Sequence, residues 1–145
     1  MGGKSEPVVP EASTMQSVER NVEWVKNNFS DKLGVELKPD LESIEWIDGY
    51  INRNREKLKN DAVDNLSNVF GSFLGEAIIE VYSGEWLYND GNLGIYFKEE
   101  NSWAFPFAKT QKQFRNGPED SNYSFFSMIP KLLDGSFTKG KSKNS

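Results

Sequence analysis

The sequence predicts an α+β fold: N-terminal helices, a central buried helix, a three-stranded antiparallel meander and short C-terminal helices. Three observations carry this. Apolar residues recur at three- and four-residue spacing through three successive stretches before residue 84. The period then changes to alternation, with an Asp90-Gly91 pair between two aromatic and β-branched runs. Helical texture returns after Phe107.

The first stretch carries Met15, Val18, Val22, Val25 and Phe29, one stripe on a helix. Ser13 or Thr14 is expected to cap it, and Gly34 to end it. The stripe has the look of two coiled-coil heptads, so an oligomer seam is one use for it. The second stretch follows Pro39. Asp40 supplies a short acceptor for an orphan helix N–H, and Leu41, Ile44, Ile47, Ile51 and Leu58 form the apolar face. Trp46 and Tyr50 flank that face. Gly49 costs about 1 kcal/mol against alanine inside a helix, so a close contact with another element is expected there. Arg53, Arg55, Lys57 and Lys59 complement the negative end of this helix's dipole.

The third stretch is the longest, Asn60 to Gly84, with Asn60 or Asp61 as cap and Gly84 as stop. Val63, Leu66, Phe70, Phe73, Leu74, Ala77, Ile78 and Val81 leave it only a narrow wet face, so it is the central helix. Ser67, Gly71 and Gly75 form a strip of small residues at four-residue spacing. Such a strip lets another backbone or ring come close.

Three short strands follow at about 85–89, 93–98 and 102–106. Leu93, Ile95 and Phe97 point inward, Trp86 and Tyr88 share a face, and Trp103 and Phe105 share a face. Pro106 cannot donate to a ladder and ends its strand or marks an edge. A helix then runs from Phe107 to Asn116–Gly117. After Pro118 a last short helix turns Tyr123, Phe126 and Ile129 inward and is limited by Pro130. The domain boundaries expected are a flexible arm at 1–12, a single domain at 13–135 and a flexible basic tail at 136–145.

The runs GSFLGEAI (71–78), GEW (84–86) and FPFAKTQKQFRNGPEDS (105–121) resemble those of a group of small bacterial proteins of unknown function. Some proteins of that type sit near polymorphic-toxin loci, where immunity proteins are found. The resemblance covers about residues 60–130. It implies a fold more than a function and transfers no functional residues.

Composition removes several chemistries. The chain has 145 residues with no cysteine and no histidine, so Ser-His and Cys-His triads, disulfides and thiolate metal sites are excluded. No phosphate-loop, dinucleotide or metal-ligand spacing occurs, and no cofactor or metal is expected. Net charge is −5 from 17 basic and 22 acidic residues. Residues 131–145 hold four lysines and one aspartate, so the first 130 residues carry −8. An acidic body binds nucleic acid poorly and suits a basic protein partner. No signal peptide and no membrane-spanning run is read, so the location expected is cytoplasmic.

Six residues are candidates for a site. Glu76 and Glu80 lie one helical turn apart and can do acid–base work if burial separates them. Lys109, Lys112 and Arg115 line one side of their helix and can hold an anion. Trp86, with Tyr88, Tyr96 and Trp103, can stack a ligand. Each has an ordinary reading as well: a solvated acidic stripe, the outer face of a helix, and core. The expected function is a non-catalytic cytosolic protein-binding module, of the immunity type, that masks a basic partner. The alternatives are a small enzyme joining Glu76, Glu80, Lys109 and Lys112, or a structural oligomer subunit.

Overall fold

The computed structural model of the protein describes residues 6–33 and 37–134. The expected stop at Gly34, the first five residues of the arm and the basic tail lie outside the described residues. The elements are α1 (Ala12–Leu33), α2 (Leu41–Asn54), α3 (Asn60–Tyr82), β1 (Glu85–Asn89), β2 (Asn92–Phe97), β3 (Ser102–Ala104), α4 (Pro106–Asn116) and α5 (Asn122–Leu133). The strands form one antiparallel meander in the order β1-β2-β3. The fold is α+β.

α3 is the centre. Phe70, Phe73, Leu74, Ala77 and Ile78 are all fully buried. The α1 stripe Val18, Val22, Val25 and Phe29 is buried in the same core, which uses up the face that would have served as an oligomer seam. The small-residue strip works as a contact surface. A Cβ at Gly71 would sit 2.6 Å from the Phe107 ring. At Gly75 it would sit 2.2 Å from the Trp86 indole. Glu76, the next residue, accepts a 2.8 Å hydrogen bond from Trp86 Nε1. The indole is therefore held close against the helix at Gly75 by a carboxylate of the same helix.

Several element ends differ from the sequence reading. α1 begins at Ala12, where the Glu11 carbonyl accepts from Thr14 N and Met15 N, so Ser13 and Thr14 are inside the first turn. Part of the expected arm is docked: Val8 and Tyr88 exchange both backbone hydrogen bonds, at 3.1 and 2.8 Å. Lys59, not Asn60 or Asp61, occupies the N-cap position of α3. Ser83, at φ 70°, ends that helix in the left-handed conformation, and Gly84 is small because a Cβ there would strike Ile95. No close approach of another element explains Gly49: among the described residues a Cβ there would meet only Arg53 of its own helix.

β3 is only three residues long, because the chain turns into α4 at Pro106 rather than after it. Asp90 and Gly91 both have positive φ, as a two-residue hairpin turn of this hand requires. The register aligns Trp86, Ile95 and Ala104 on the core face and Glu85, Tyr96 and Trp103 on the opposite one. The strand aromatics are thus divided between two environments.

The C-terminal helices are tied to the rest by polar groups reaching across elements. Asp48 of α2 caps α5: its carboxylate accepts from Asn122 N at 2.9 Å, Tyr123 N at 3.2 Å and the Ser121 hydroxyl. The buried Gln113 of α4 accepts from Asn122 N at 2.8 Å and donates to Asn52 Oδ1 at 3.2 Å. Arg55 donates to the carbonyls of Phe114 and Arg115, the end of α4. This cation serves another helix's terminus, where the sequence reading gave it to its own.

Pro130 does not limit α5 but lies inside it. A proline leaves the carbonyl four residues earlier without its helical donor. That carbonyl, on Phe126, accepts instead from the Tyr82 hydroxyl at 3.1 Å. Burial raises the pKa of this phenol, so it stays a donor.

Two outcomes follow for stability. Asp48→Ala leaves the Tyr123 N–H and the Ser121 hydroxyl without their acceptor, while Asn122 N keeps Gln113 Oε1, and should cost about 2 kcal/mol in a urea unfolding curve. Gly75→Ala gains about 1 kcal/mol of helix propensity but forces the Trp86 ring off its seat. Overpacking of this kind costs about 1–3 kcal/mol, so net destabilisation is expected. A stabilised Gly75→Ala protein would contradict the close contact.

Candidate functional site

Where β3 runs into α4, the end of the sheet and the two C-terminal helices enclose a groove of about 630 Å3. Its apolar lining includes Leu93, Trp103, Phe105, Phe107 and Phe125, with Lys109 and Lys112 beside them. The β hairpin supplies one side because its Asp90-Gly91 turn brings Asn92 and Leu93 back toward α4. Phe105 and Phe107 lie on either side of Pro106, which fixes where the strand ends and the helix begins.

The two lysines differ. Lys109 is largely buried, donates to Asp120 Oδ1 at 3.1 Å and lies 5.8 Å from the centre of the Phe125 ring. Asp120 also accepts from Asn116 Nδ2 at 2.6 Å. The Asn116 and Lys109 hydrogen bonds, in that order, hold the Asp120 carboxyl below the usual range. Lys112 adds a smaller attraction on Asp120 from further away. It is exposed, and among the described residues it forms no ion pair within 4.0 Å.

The six residues singled out by sequence do not come together. The groove takes in Lys109 and Lys112, and none of Glu76, Glu80, Trp86 or Arg115. Glu76 is engaged by Trp86, which is itself core. Glu80 and Arg115 are exposed on α3 and at the end of α4. Tyr96 and Trp103 lie on the non-core face of the sheet, only partly buried, their ring centres 4.8 Å apart. Trp103 in turn stacks on Phe105 at 5.8 Å.

A second surface was missed by the sequence reading. Outside α1 runs a trough of about 710 Å3 lined by Glu19, Arg20, Glu23, Trp24, Asn27 and Val69 among others. Trp24 is 42% exposed and meets Phe29 edge-on at 5.6 Å. The only signal for it was its place one residue before Val25, off the apolar stripe.

Among the described residues no group of three or more acidic side chains is placed to hold a metal ion. No helix among them is long and apolar enough to cross a membrane. No protein-family model, curated protein or solved structure matches the chain.

The Asp120 geometry sets a pH dependence. Its folded pKa lies below the unfolded value of about 3.9, so the unfolded chain takes up the proton first. The stabilisation is complete above about pH 4 and is lost as pH falls through the folded pKa. A carboxyl NMR titration should show Asp120 titrating low. The stability gap between wild type and Asp120→Asn should narrow as pH falls below about 4.

Proposed function

We propose that the protein is a non-catalytic protein-binding module that masks a basic partner, in the manner of an immunity protein. The observation that carries this reading is Trp24, exposed in the α1 trough with Glu19 and Glu23 beside it. A half-exposed indole is an apolar anchor that gains most when a partner finishes its desolvation, and tryptophan is enriched among the residues that dominate interface energies. Its ring face also attracts lysine or arginine. Flanking carboxylates add charge complementarity. Glu23 is paired with Lys26 at 3.4 Å, but this is an exposed pair within one helix turn and is worth little. A partner's cation can replace it. Arg20, bonded to Ser17, stands in the same trough and would select among basic partners rather than admit all.

The net −8 of the first 130 residues supports the same direction through long-range steering. The side chains with acid–base potential support it differently: Glu76 is committed to Trp86, and Lys109 to Asp120.

The test is a pull-down from the source cell with immobilised wild type, Trp24→Ala and Glu19→Gln/Glu23→Gln proteins, followed by affinity measurement on the recovered partner. A basic protein is expected. Trp24→Ala should weaken it by about 2 kcal/mol, close to thirtyfold. The double glutamine variant should slow association and flatten its salt dependence. An acidic or neutral partner, or one indifferent to Trp24, would overturn the reading.

A further inference from the structure

The groove at the end of the sheet is chemically unlike the α1 trough, and the two share no residue. Its size falls within the range of small-molecule sites, about 300–1,000 Å3. Its lining is aromatic, from Trp103, Phe105, Phe107 and Phe125, and its titratable groups are cationic. Charge decides what it would take. Asp120 pairs with Lys109 at 3.1 Å and attracts Lys112 more weakly, so among the described residues Lys112 is the groove cation without an ion pair within 4.0 Å. An occupant with one negative charge restores balance, and a flat apolar body matches the rings. A dianion would leave one charge unpaired against an apolar wall, and a cation would meet Lys112 directly.

We propose that this groove is a binding site for a small aromatic monocarboxylate, with its ring among Trp103, Phe105 and Phe125 and its carboxylate on Lys112. Lys109 shapes the site from behind. It is paired with Asp120, and its ammonium lies 5.8 Å from the centre of the Phe125 ring. The hairpin turn supplies the remaining polar groups through Gly91 and Asn92. The site does not depend on the protein-binding role of α1, because its lining comes from the hairpin turn, β2, β3, the β3–α4 junction, α4 and α5, with no residue of α1.

The probe is 2-naphthoate, titrated into the full chain and followed by amide and indole NMR shifts, with neutral 2-naphthamide as its isostere. Saturable naphthoate binding is expected, with shifts at Trp103, Phe105 and Lys112. The amide should bind about two- to fivefold more weakly, the usual size of a partly exposed charge contact. Lys112→Gln should bring naphthoate down to the level of the amide and leave the amide unchanged. Lys59→Gln, an exposed lysine outside the groove, should change neither. Trp103→Ala should weaken both ligands. The unperturbed spectrum of the exposed Lys112→Gln variant checks that the fold is intact. Three results would overturn the proposal: no saturable naphthoate binding, a naphthoate preference that survives Lys112→Gln, or Lys112-dependent binding of an acidic phenylalanine-containing peptide where naphthoate fails.

Discussion

The structure depends on how closely other elements approach the middle of α3. Gly71 and Gly75 present bare backbone to Phe107 and Trp86, at distances that no Cβ could occupy. That contact seats both the start of α4 and the first strand on one helix. The interaction is specific as well as close, because Glu76 receives the indole N–H. A buried indole without an acceptor would cost about 1–3 kcal/mol, so the carboxylate and the glycine act together. With α4 and β1 placed, the direction of the sheet and the position of the groove follow.

A second layer of constraint is polar. The ends of α4 and α5 are held by distant residues as well as by their own sequence neighbours, such as Ser121, whose hydroxyl accepts from Ser124 N at 3.0 Å. Asp48 supplies acceptors to the start of α5, and Arg55 supplies donors to the end of α4. Tyr82 supplies the donor that Pro130 removes. Gln113 and Asn122 complete a buried chain of hydrogen bonds among α2, α4 and α5. Each bond has a modest net value, but an unmade one is costly in a dry interior. This arrangement therefore fixes the relative placement of three helices more sharply than apolar packing would. Among the described residues, Ser67 Oγ on α3 and Asn122 Oδ1 are the buried side-chain atoms without a hydrogen-bond partner.

These constraints separate two surfaces of opposite character. The α1 trough is polar, with acidic side chains around an exposed tryptophan. The groove is aromatic, with a cation at its rim. Because α1 packs on α3 while the groove lies between the sheet and the last two helices, a ligand at one leaves the other open. The proposed protein-binding face and the proposed small-molecule site are therefore separate surfaces, and each is tested by its own measurement.

The sequence by itself determined the period of every element, the Asp90-Gly91 hairpin, the Asp40 cap that accepts from Ser43 N at 2.9 Å, and the small-residue strip on α3. All of these are local: they rest on backbone preferences and on residues within a turn or two of one another. The tertiary structure alone decided which polar side chains meet across distant elements. Asp48 meets Asn122 across 74 residues, Arg55 meets Phe114 across 59, and Tyr82 meets Phe126 across 44. No periodicity encodes such pairings. The same limit explains the candidate site. Lys109 and Lys112 were visible as a cationic stripe, yet only the fold set Asp120 against one and left the other facing the aromatics. Glu76 looked like chemistry because a carboxylate in an apolar helix needs a partner. Its partner proved to be an indole ten residues on, brought over Gly75 by the turn into the sheet.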